Sequence, residues 1–268
     1  MLSTSIIVFR ETLEAALFVG IVAASTKGLY KRTRWLTLGV TIGVIGSLIM
    51  ASAMEKITTW AEGFGTDLVT ASILTLALVM LAWHCIWVSS HAKDMVKDAK
   101  QLGNNVSSGS GTLWALSVAV GLSVLREGAE TVLFVSGVLS GSKESASTII
   151  ISVIAGLASG ALSGWLIYAG LGKVKPQRLF AITNVLILLL AGNLASQLAK
   201  VLNQAGFTNY LGEIAWDISA WLPNDSPAGM VLHGVIGYDA NPMQLQLLFY
   251  TLTVALIALS TRVVKMRV

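Results

Sequence analysis

The sequence predicts an all-α polytopic membrane protein with seven transmembrane helices. Of its 268 residues, 54% are hydrophobic and 12% are charged, and the mean hydropathy is +0.74. Soluble domains carry about 25% charged residues. Apolar runs long enough to cross a hydrocarbon core of about 30 Å recur along the chain. A single cysteine, Cys85, excludes an internal disulfide framework.

The predicted spans are the apolar stretches between charged or polar connections. Tryptophans fall at two of their ends, Trp35 and Trp114, as expected for side chains at the membrane interface. The connection at residues 103–112 (GNNVSSGSGT) is interpreted as a flexible linker because its composition does not support packing. The seven spans cover residues 3–26, 36–54, 68–90, 112–140, 147–171, 179–203 and 244–262.

Basic residues collect in alternate connections, which predicts the orientation. They lie in segments 27–35, 91–111 and 172–178 and in the C-terminal tail, whereas the opposite loops are mainly acidic. Because cytoplasmic loops carry an excess of Lys and Arg, the N-terminus is predicted outside and the C-terminus in the cytoplasm. This placement accounts for the net charge of +4 without a nucleic-acid partner, and no basic patch with interleaved aromatic residues occurs.

Two segments of the chain are nearly alike. Val8–Lys27 and Val124–Lys143 match at an offset of 116 residues, and each places an Arg and two Glu in an apolar run. The two copies lie three spans apart, so they cross the membrane in opposite senses. We therefore expect an inverted repeat, with residues 1–110 and 111–203 as the two three-helix units. Residues 204–268 would add an outer amphipathic loop and the seventh helix. For spans 2 and 5 and for spans 3 and 6, the repeat rests on spacing alone.

The charged residues of the two segments share one helical face in each copy. Residues three and four positions apart are neighbours on a helix, which groups Arg10 with two acids and Arg126 with two acids. A charge near the bilayer centre costs about 2.5–3.5 kcal/mol, so these side chains are not expected to face lipid. If the two helices cross, four carboxylates oppose two guanidinium groups. The acids are Glu11, Glu14, Glu127 and Glu130.

The surplus of acid predicts a site for a multivalent cation and favours transport of a charged substrate. Carboxylate oxygens suit hard metals such as Fe³⁺, Mn²⁺, Mg²⁺ or Ca²⁺. Arg10 and Arg126 are expected to orient the ligands, since a guanidinium can hold a carboxylate through a forked hydrogen bond. Purely structural ion pairs, or a scaffolding protein, would favour neutral pairing. An intramembrane di-metal enzyme would need Glu-x-x-His pairs, and no His follows these glutamates at that spacing.

Other candidate residues carry weaker signals. His84, Cys85 and His91 lie near the end of span 3, where a hydrogen-bonded or interfacial histidine is favoured over metal ligation, and His233 in the outer loop is interpreted in the same way. The stretch 208–223 (TNYLGEIAWDISAWLP) predicts one or two short amphipathic helices on the outer surface. Glu213 and Asp217 would lie on one face there. We expect them to be solvated, with collection of metal before transport as the alternative.

The R-E-x-x-E motifs at Arg10–Glu14 and Arg126–Glu130 resemble those of the iron permease family. This family includes the oxidase-coupled high-affinity iron transporters of fungi and the Efe-type iron-uptake permeases of bacteria. The resemblance covers nearly the whole chain, including the outer segment Glu213–Ser219 (EIAWDIS) followed by Gly234–Tyr238 (GVIGY). Thr12 stands where the family usually has Gly, and Ala129 where Leu is common. Neither position is charged.

The resemblance implies a multi-pass permease of the cell (inner) membrane rather than an enzyme. It implies that the four motif glutamates bind iron, that iron is the transported substrate with no further cofactor, and that an external oxidase or metal-delivery protein supplies it. The residues themselves indicate only a multivalent cation. Another divalent cargo, such as Mn²⁺ or Pb²⁺, therefore remains an alternative.

Overall fold

A computed structural model describes residues 2–61, 66–140, 145–169, 176–208 and 210–267. Within these ranges the chain forms eight α-helices, and its β structure is one isolated bridge between Ile214 and Met243. The all-α prediction is confirmed for this part of the chain. The helices are α1 (Leu2–Ser25), α2 (Arg32–Ala61), α3 (Thr66–Ser107), α4 (Leu113–Ser140), α5 (Ala146–Tyr168), α6 (Pro176–Gln204), α7 (Pro227–Ile236) and α8 (Gln244–Arg267).

Five of the described helices are long and apolar enough to cross a membrane. Their candidate spans are Arg32–Ile57, Asp67–His91, Ser147–Tyr168, Thr183–Gln204 and Gln244–Val264. Helices α1 and α4 have 24 and 28 residues, but each apolar run is interrupted by an Arg and two Glu. The basic residues predicted near span 5 at Lys173 and Lys175, together with Lys143 and Glu144 of the opposite loop, lie outside the described residues.

The predicted flexible linker at residues 103–112 is wrong for residues 103–107, because α3 continues through Ser107, whereas residues 108–112 do connect α3 with α4 outside a helix. Ala99 and Val106 are buried on one face of this extension and pack in a cluster with Val22 of α1 and with residues of α2 and α4. Ser107 Oγ donates a hydrogen bond to the Ser25 carbonyl at 2.8 Å. A single narrow apolar stripe is therefore enough to fix this polar segment as helix, although its overall composition is that of a linker.

The predicted amphipathic helices in 208–223 are also wrong, because the helix of the outer segment is α7, which begins at Pro227. The backbone before it pairs with residues 240–244 instead. Ala215 N donates to Pro242 O at 2.8 Å, and Gln244 N donates to Glu213 O at 2.9 Å. The groups that a helix would use internally are thus satisfied by a second segment of the chain.

Asp217 contributes to this departure from helix. Its Oδ1 accepts hydrogen bonds from the Ser219 hydroxyl at 2.6 Å and from the Ser219 amide at 2.9 Å. These bonds, the hydroxyl bond first, lower the pKa of the Asp217 carboxyl. An aspartate that binds the amide two residues later favours a turn over a helix. Glu213 and Asp217 are exposed but do not share a helical face.

Small residues join four of the long helices into two close pairs. Gly39 and Gly43 place α2 against α4, and Gly156 and Gly160 place α5 against α1. In both pairs, contacts advance along the two helices in the same direction, so the partners run parallel. Residues spaced by four on one face let helix backbones approach closely, which is the usual basis of helix association in membranes.

The close contacts in the two helix pairs fall at equivalent positions of the two repeated segments. A Cβ on Gly43 would lie 2.6 Å from Val124 Cβ and 2.8 Å from Gly121 O. A Cβ on Gly156 would lie 2.7 Å from Val8 Cβ and 2.8 Å from Ser5 O. The positions met on α4 and α1 differ by 116 residues, as the motifs do.

The uncharged third position of each motif packs into these contacts. Thr12 faces Gly160 of α5, whose added Cβ would lie 2.8 Å from Thr12 Cβ, and Gly128 faces Ser47 of α2 with no room for a Cβ. Each pair therefore combines one glycine with one small hydroxyl residue. Thr12 fits where the family usually has Gly because its neighbour is itself a glycine.

The remaining helices enclose α1. A buried cluster joins α1, α3, α4, α6 and α8 through Ile7, Leu74, Leu81, Phe134, Leu190, Leu194 and Ile257. Helix α7 lies against the N-terminal end of α1, where Ser3 Oγ donates to the Gly234 carbonyl at 3.1 Å. The motif face of α1 is thereby shielded on several sides.

Replacement of Gly160 by Leu should destabilise the protein, because the α1–α5 contact has no space for a side chain. Overpacking of a tight contact costs about 1–3 kcal/mol. A fall in the melting temperature of the detergent-solubilised protein would measure this. Ala158→Leu, at an exposed position of the same helix, is the matched control and should change little. Equal melting temperatures for the two variants would contradict the close α1–α5 contact.

Candidate metal site

Five of the six charged residues of the two motifs, all except Arg126, lie on the inward faces of α1 and α4. On α1, Ile7, Arg10, Glu14 and Leu17 follow a helical spacing of three and four residues, and all are buried. Arg10 and Glu11 are each 1% exposed, and Glu14 and Glu127 are 3% exposed. The apolar packing that buries the rest of the face therefore removes these charges from solvent as well.

The structure brings the acids of the two motifs together. Glu11, Glu127 and Glu130 each offer a carboxylate oxygen within 4.8 Å of the other two. Glu11, Glu14 and His84 form a second group of the same size. Glu11 belongs to both groups, so the four glutamates form one continuous buried cluster across the α1–α4 contact.

His84 is the member of this cluster that the sequence analysis undervalued. Its Nδ1 contacts Glu130 Oε2, and its Nε2 contacts the Arg10 guanidinium and lies 3.8 Å from Glu14 Oε2. The imidazole thus bridges the two motifs. The signal for this role is the buried stripe on α3 that His84 shares with Ala77, Leu81 and Val88, since a polar residue in an apolar stripe requires a buried partner.

The neighbouring candidates lie elsewhere. Cys85 is buried in the apolar cluster of α1, α3, α4 and α6. His91 stacks on Trp87 of its own helix, with ring centroids 5.0 Å apart, and contacts Ser90. His233 Nδ1 contacts the Tyr238 carbonyl at 2.7 Å. Neither Cys85 nor these two histidines joins the acidic cluster, and Glu213 and Asp217 are not part of it either.

The two arginines have unequal surroundings. Arg10 Nη1 donates to Glu11 Oε1 at 2.6 Å, and Arg10 Nη2 lies 2.5 Å from Glu14 Oε1. Arg126 Nε donates to Glu130 Oε1 at 3.0 Å and lies 4.0 Å from Glu127. The Arg126 side chain is 42% exposed and its guanidinium lies 4.8 Å from the centroid of the Trp87 ring. The α1 arginine is enclosed, whereas the α4 arginine sits at the edge of the bundle.

Some carboxylate oxygens are buried without a hydrogen-bond donor. Among the described residues, Glu11 Oε2 and Glu127 Oε2 have no such partner and form no ion pair. Burial of a charged group costs several kcal/mol unless it is paired. With four carboxylates and two guanidinium groups, the cluster has a formal charge of about −2 when His84 is neutral. Both the geometry and the charge suit an additional cation.

The cluster lies between two cavities. One, of about 1210 Å³, separates the α1–α5 pair from the α2–α4 pair and is lined in part by Glu11 and Glu127. The other, of about 470 Å³, lies between α3 and α4 and is lined by His84, Arg126 and Glu130, together with Val79, Met80, Trp83 and Trp87. The charged cluster thus lies between two cavities that are lined mainly by apolar residues.

This combination of apolar helices and a buried acidic cluster defines an integral membrane protein with an internal polar site. Residues 1–268 match the Iron permease FTR1 family, and the chain belongs to that family. The family resemblance inferred from the R-E-x-x-E motifs is therefore confirmed. The chain is a permease rather than an enzyme, so the di-metal enzyme alternative is rejected. It is also a multi-pass protein of the cell membrane.

Curated relatives agree with this assignment. The chain is 30% identical over 241 residues to the ferrous iron permease EfeU of Yersinia pestis, covering 88% of this chain and 84% of the relative. It is 28% identical over 241 residues to the ferrous iron permease EfeU of Escherichia coli O157:H7, covering 88% and 86%. No solved structure matches the chain.

Replacement of His84 by Ala should destabilise the protein, because Arg10 and Glu130 would each lose a buried partner. An unsatisfied buried polar group costs about 1–3 kcal/mol. A lower melting temperature in detergent is expected. His91→Ala, which removes contacts within a single helix, should have a smaller effect. A greater loss for His91→Ala than for His84→Ala would contradict the bridging position of His84.

Proposed function

We propose that this protein moves iron across the membrane into the cell through the cluster of Glu11, Glu14, Glu127 and Glu130. The observation that carries the proposal is the convergence of both R-E-x-x-E motifs on one buried site with unsatisfied carboxylate oxygens. A cation that enters the cluster supplies the missing positive charge. Family membership favours iron as that cation, and the relatives, named as ferrous iron permeases, favour Fe²⁺.

The proposal includes α1 and α4 as spans, which gives seven in all, with the N-terminus outside and the C-terminus in the cytoplasm. Burial of the motif charges supports this, because most of them meet other side chains rather than lipid. The parallel α1–α5 and α2–α4 pairs are also what alternating spans require. Their common register supports an inverted repeat of residues 1–110 and 111–203, followed by residues 204–268.

Within the site, Glu11 and Glu127 are the acids that face the larger cavity. We assign them the first contact with the dehydrating ion, since each has an oxygen without a donor. Arg126 holds Glu130 through its Nε–H bond and so orients that ligand. Arg10 holds Glu11 through Nη1 and pairs with Glu14 through Nη2. These contacts fix ligand geometry and limit repulsion among the acids before the ion arrives.

Delivery from outside forms part of the proposal. Glu213 and Asp217 are exposed on the segment before α7 and can collect metal from an external oxidase or delivery protein. Glu213 is better suited to this role, because Asp217 Oδ1 already accepts two hydrogen bonds from Ser219. Both residues are acidic and solvent-accessible, which is what reversible transfer of a hydrated cation requires.

Replacement of Glu11 or Glu127 by Ala should abolish iron uptake while leaving membrane insertion intact. Loss of groups that only support a metal ligand costs about 10–100-fold in affinity, so loss of a ligand should cost at least as much. Uptake of radiolabelled Fe²⁺ into proteoliposomes measures this. Asp94→Asn, at an exposed acid of α3, is the control. Normal uptake by either alanine variant would refute the four-glutamate site.

Competition tests the cargo. If iron is the substrate, excess unlabelled Fe²⁺ should suppress the uptake of radiolabelled Fe²⁺ more strongly than the same concentration of Mn²⁺ or Pb²⁺. Ca²⁺ provides a control for nonspecific binding of a hard cation to the acids. Stronger suppression by Mn²⁺ or Pb²⁺ would show that the site serves another divalent metal.

A further inference from the structure

The guanidinium of Arg10 contacts the same three residues that form the second potential ion position. These are Glu11, Glu14 and His84, whose ligand atoms lie within 4.8 Å of one another. We propose that Arg10 is a tethered cation that fills this second position in the metal-free protein and that iron displaces it during transport. The proposal rests on the function assigned above and adds His84 as a ligand of the second ion position.

The contacts of Arg10 have the character of an occupied cation site. Nη1 of the guanidinium bonds Glu11, while Nη2 contacts Glu14 and His84. The third nitrogen, Nε, is buried without an acceptor. The guanidinium therefore offsets part of the negative charge around it, but Glu11 Oε2 and both Glu14 oxygens also lack hydrogen-bond partners among the described residues. An occupant held this incompletely can be exchanged for another cation.

The orientation of His84 supports a metal-binding role. A guanidinium only donates hydrogen bonds, so His84 Nε2 must present its lone pair to Arg10. The proton of the neutral ring then lies on Nδ1, which contacts Glu130 Oε2. A metal-binding histidine commonly has one ring nitrogen toward a carboxylate and the other facing the cation. His84 Nε2 faces the Arg10 guanidinium, which is the group that fills the second position.

Arg126 provides an internal comparison. It contacts Glu127 and Glu130 of its own helix, with no histidine in the set, and its side chain is 42% exposed beside Trp87. Its ion pairs reach Glu127 and Glu130 but not Glu11, so Arg126 does not span the position formed by Glu11, Glu127 and Glu130. One ion position is spanned by an arginine and the other is not, although the two motifs have the same sequence of charges.

Glu11 couples the two positions, because it belongs to both. An ion held by Glu11 and Glu127 competes with Arg10 for the Glu11 carboxylate and weakens the hold on the guanidinium. Movement of Arg10 then opens the second position to the ion. When the ion leaves, Arg10 returns and restores the charge balance. The tethered cation thus prevents iron from remaining bound in the second position.

The test is anaerobic Fe²⁺ binding to the full chain in lipid nanodiscs, measured by equilibrium dialysis. The wild-type protein should bind one ion per chain. Arg10→Gln should bind two, with at least about tenfold higher affinity, equivalent to about 1.4 kcal/mol, and its transport should fall. Arg10→Lys should also bind Fe²⁺ more tightly than wild type, because an ammonium group cannot contact all three partners in one plane.

Two further variants define the second position. Arg126→Gln is the matched substitution in the other motif and should still bind one ion, since Arg126 does not fill an ion position. Arg10→Gln combined with His84→Ala should lose the second ion. If Arg10 instead only orients Glu11 and Glu14 for metal binding, both Arg10 variants will bind Fe²⁺ more weakly. That result would reject the proposal that Arg10 is a tethered cation. If Arg10→Gln does not fold, the affinity of Arg10→Lys for Fe²⁺ alone decides between the two roles of Arg10.

The same experiment separates this inference from the proposed function. Glu127→Gln should weaken Fe²⁺ binding by the wild-type site. If the wild-type protein binds no Fe²⁺, or Glu127→Gln binds as well as wild type, the four-glutamate site is wrong. If both of those results are as expected and the Arg10 variants bind more weakly, the site remains and only the role of Arg10 is rejected.

Discussion

Burial of five charged side chains inside an apolar helix bundle is the constraint on which the remaining structure depends. Neither water nor lipid can compensate these groups, so their partners come from the same helix and from α3. Helix α1 supplies three of the buried charges, α4 supplies the other two, and α3 supplies the imidazole that connects them. The close contacts at Gly43 and Gly156 fix the register of α4 against α2 and of α1 against α5. His84 of α3 contacts acids of both motifs and so links α1 with α4.

Much of this arrangement could be predicted from the sequence. The helices that contain the motifs, their common face and the convergence of four glutamates all follow from spacing and from the cost of exposing charge to lipid. His84 could not be assigned in the same way, because a lone histidine in a span has several uses until the helix that faces it is known. The apolar stripe of α3 shows that His84 is buried but does not identify its partners.

Two segments outside the spans were mispredicted for related reasons. The end of α3 has the composition of a linker, yet Ala99 and Val106 fit between α1, α2 and α4 and hold it as helix. The stretch around Glu213 has the pattern of a helix, yet its backbone pairs with residues 240–244. In both cases a contact with a distant part of the chain decided the conformation. Local pattern alone does not contain that information.

Thr12 with Gly160 and Gly128 with Ser47 show how two similar helix contacts can differ in sequence. In each pair the combined side-chain volume is small, but the glycine lies on the motif helix in one pair and on the neighbouring helix in the other. Because the space between the helices limits the combined volume of the two side chains, either residue can change if the other compensates. A neighbouring helix cannot replace the charge of a motif carboxylate in this way. The likeness between the two segments is therefore expected to persist longer at the charged positions than in the helices that pack against them.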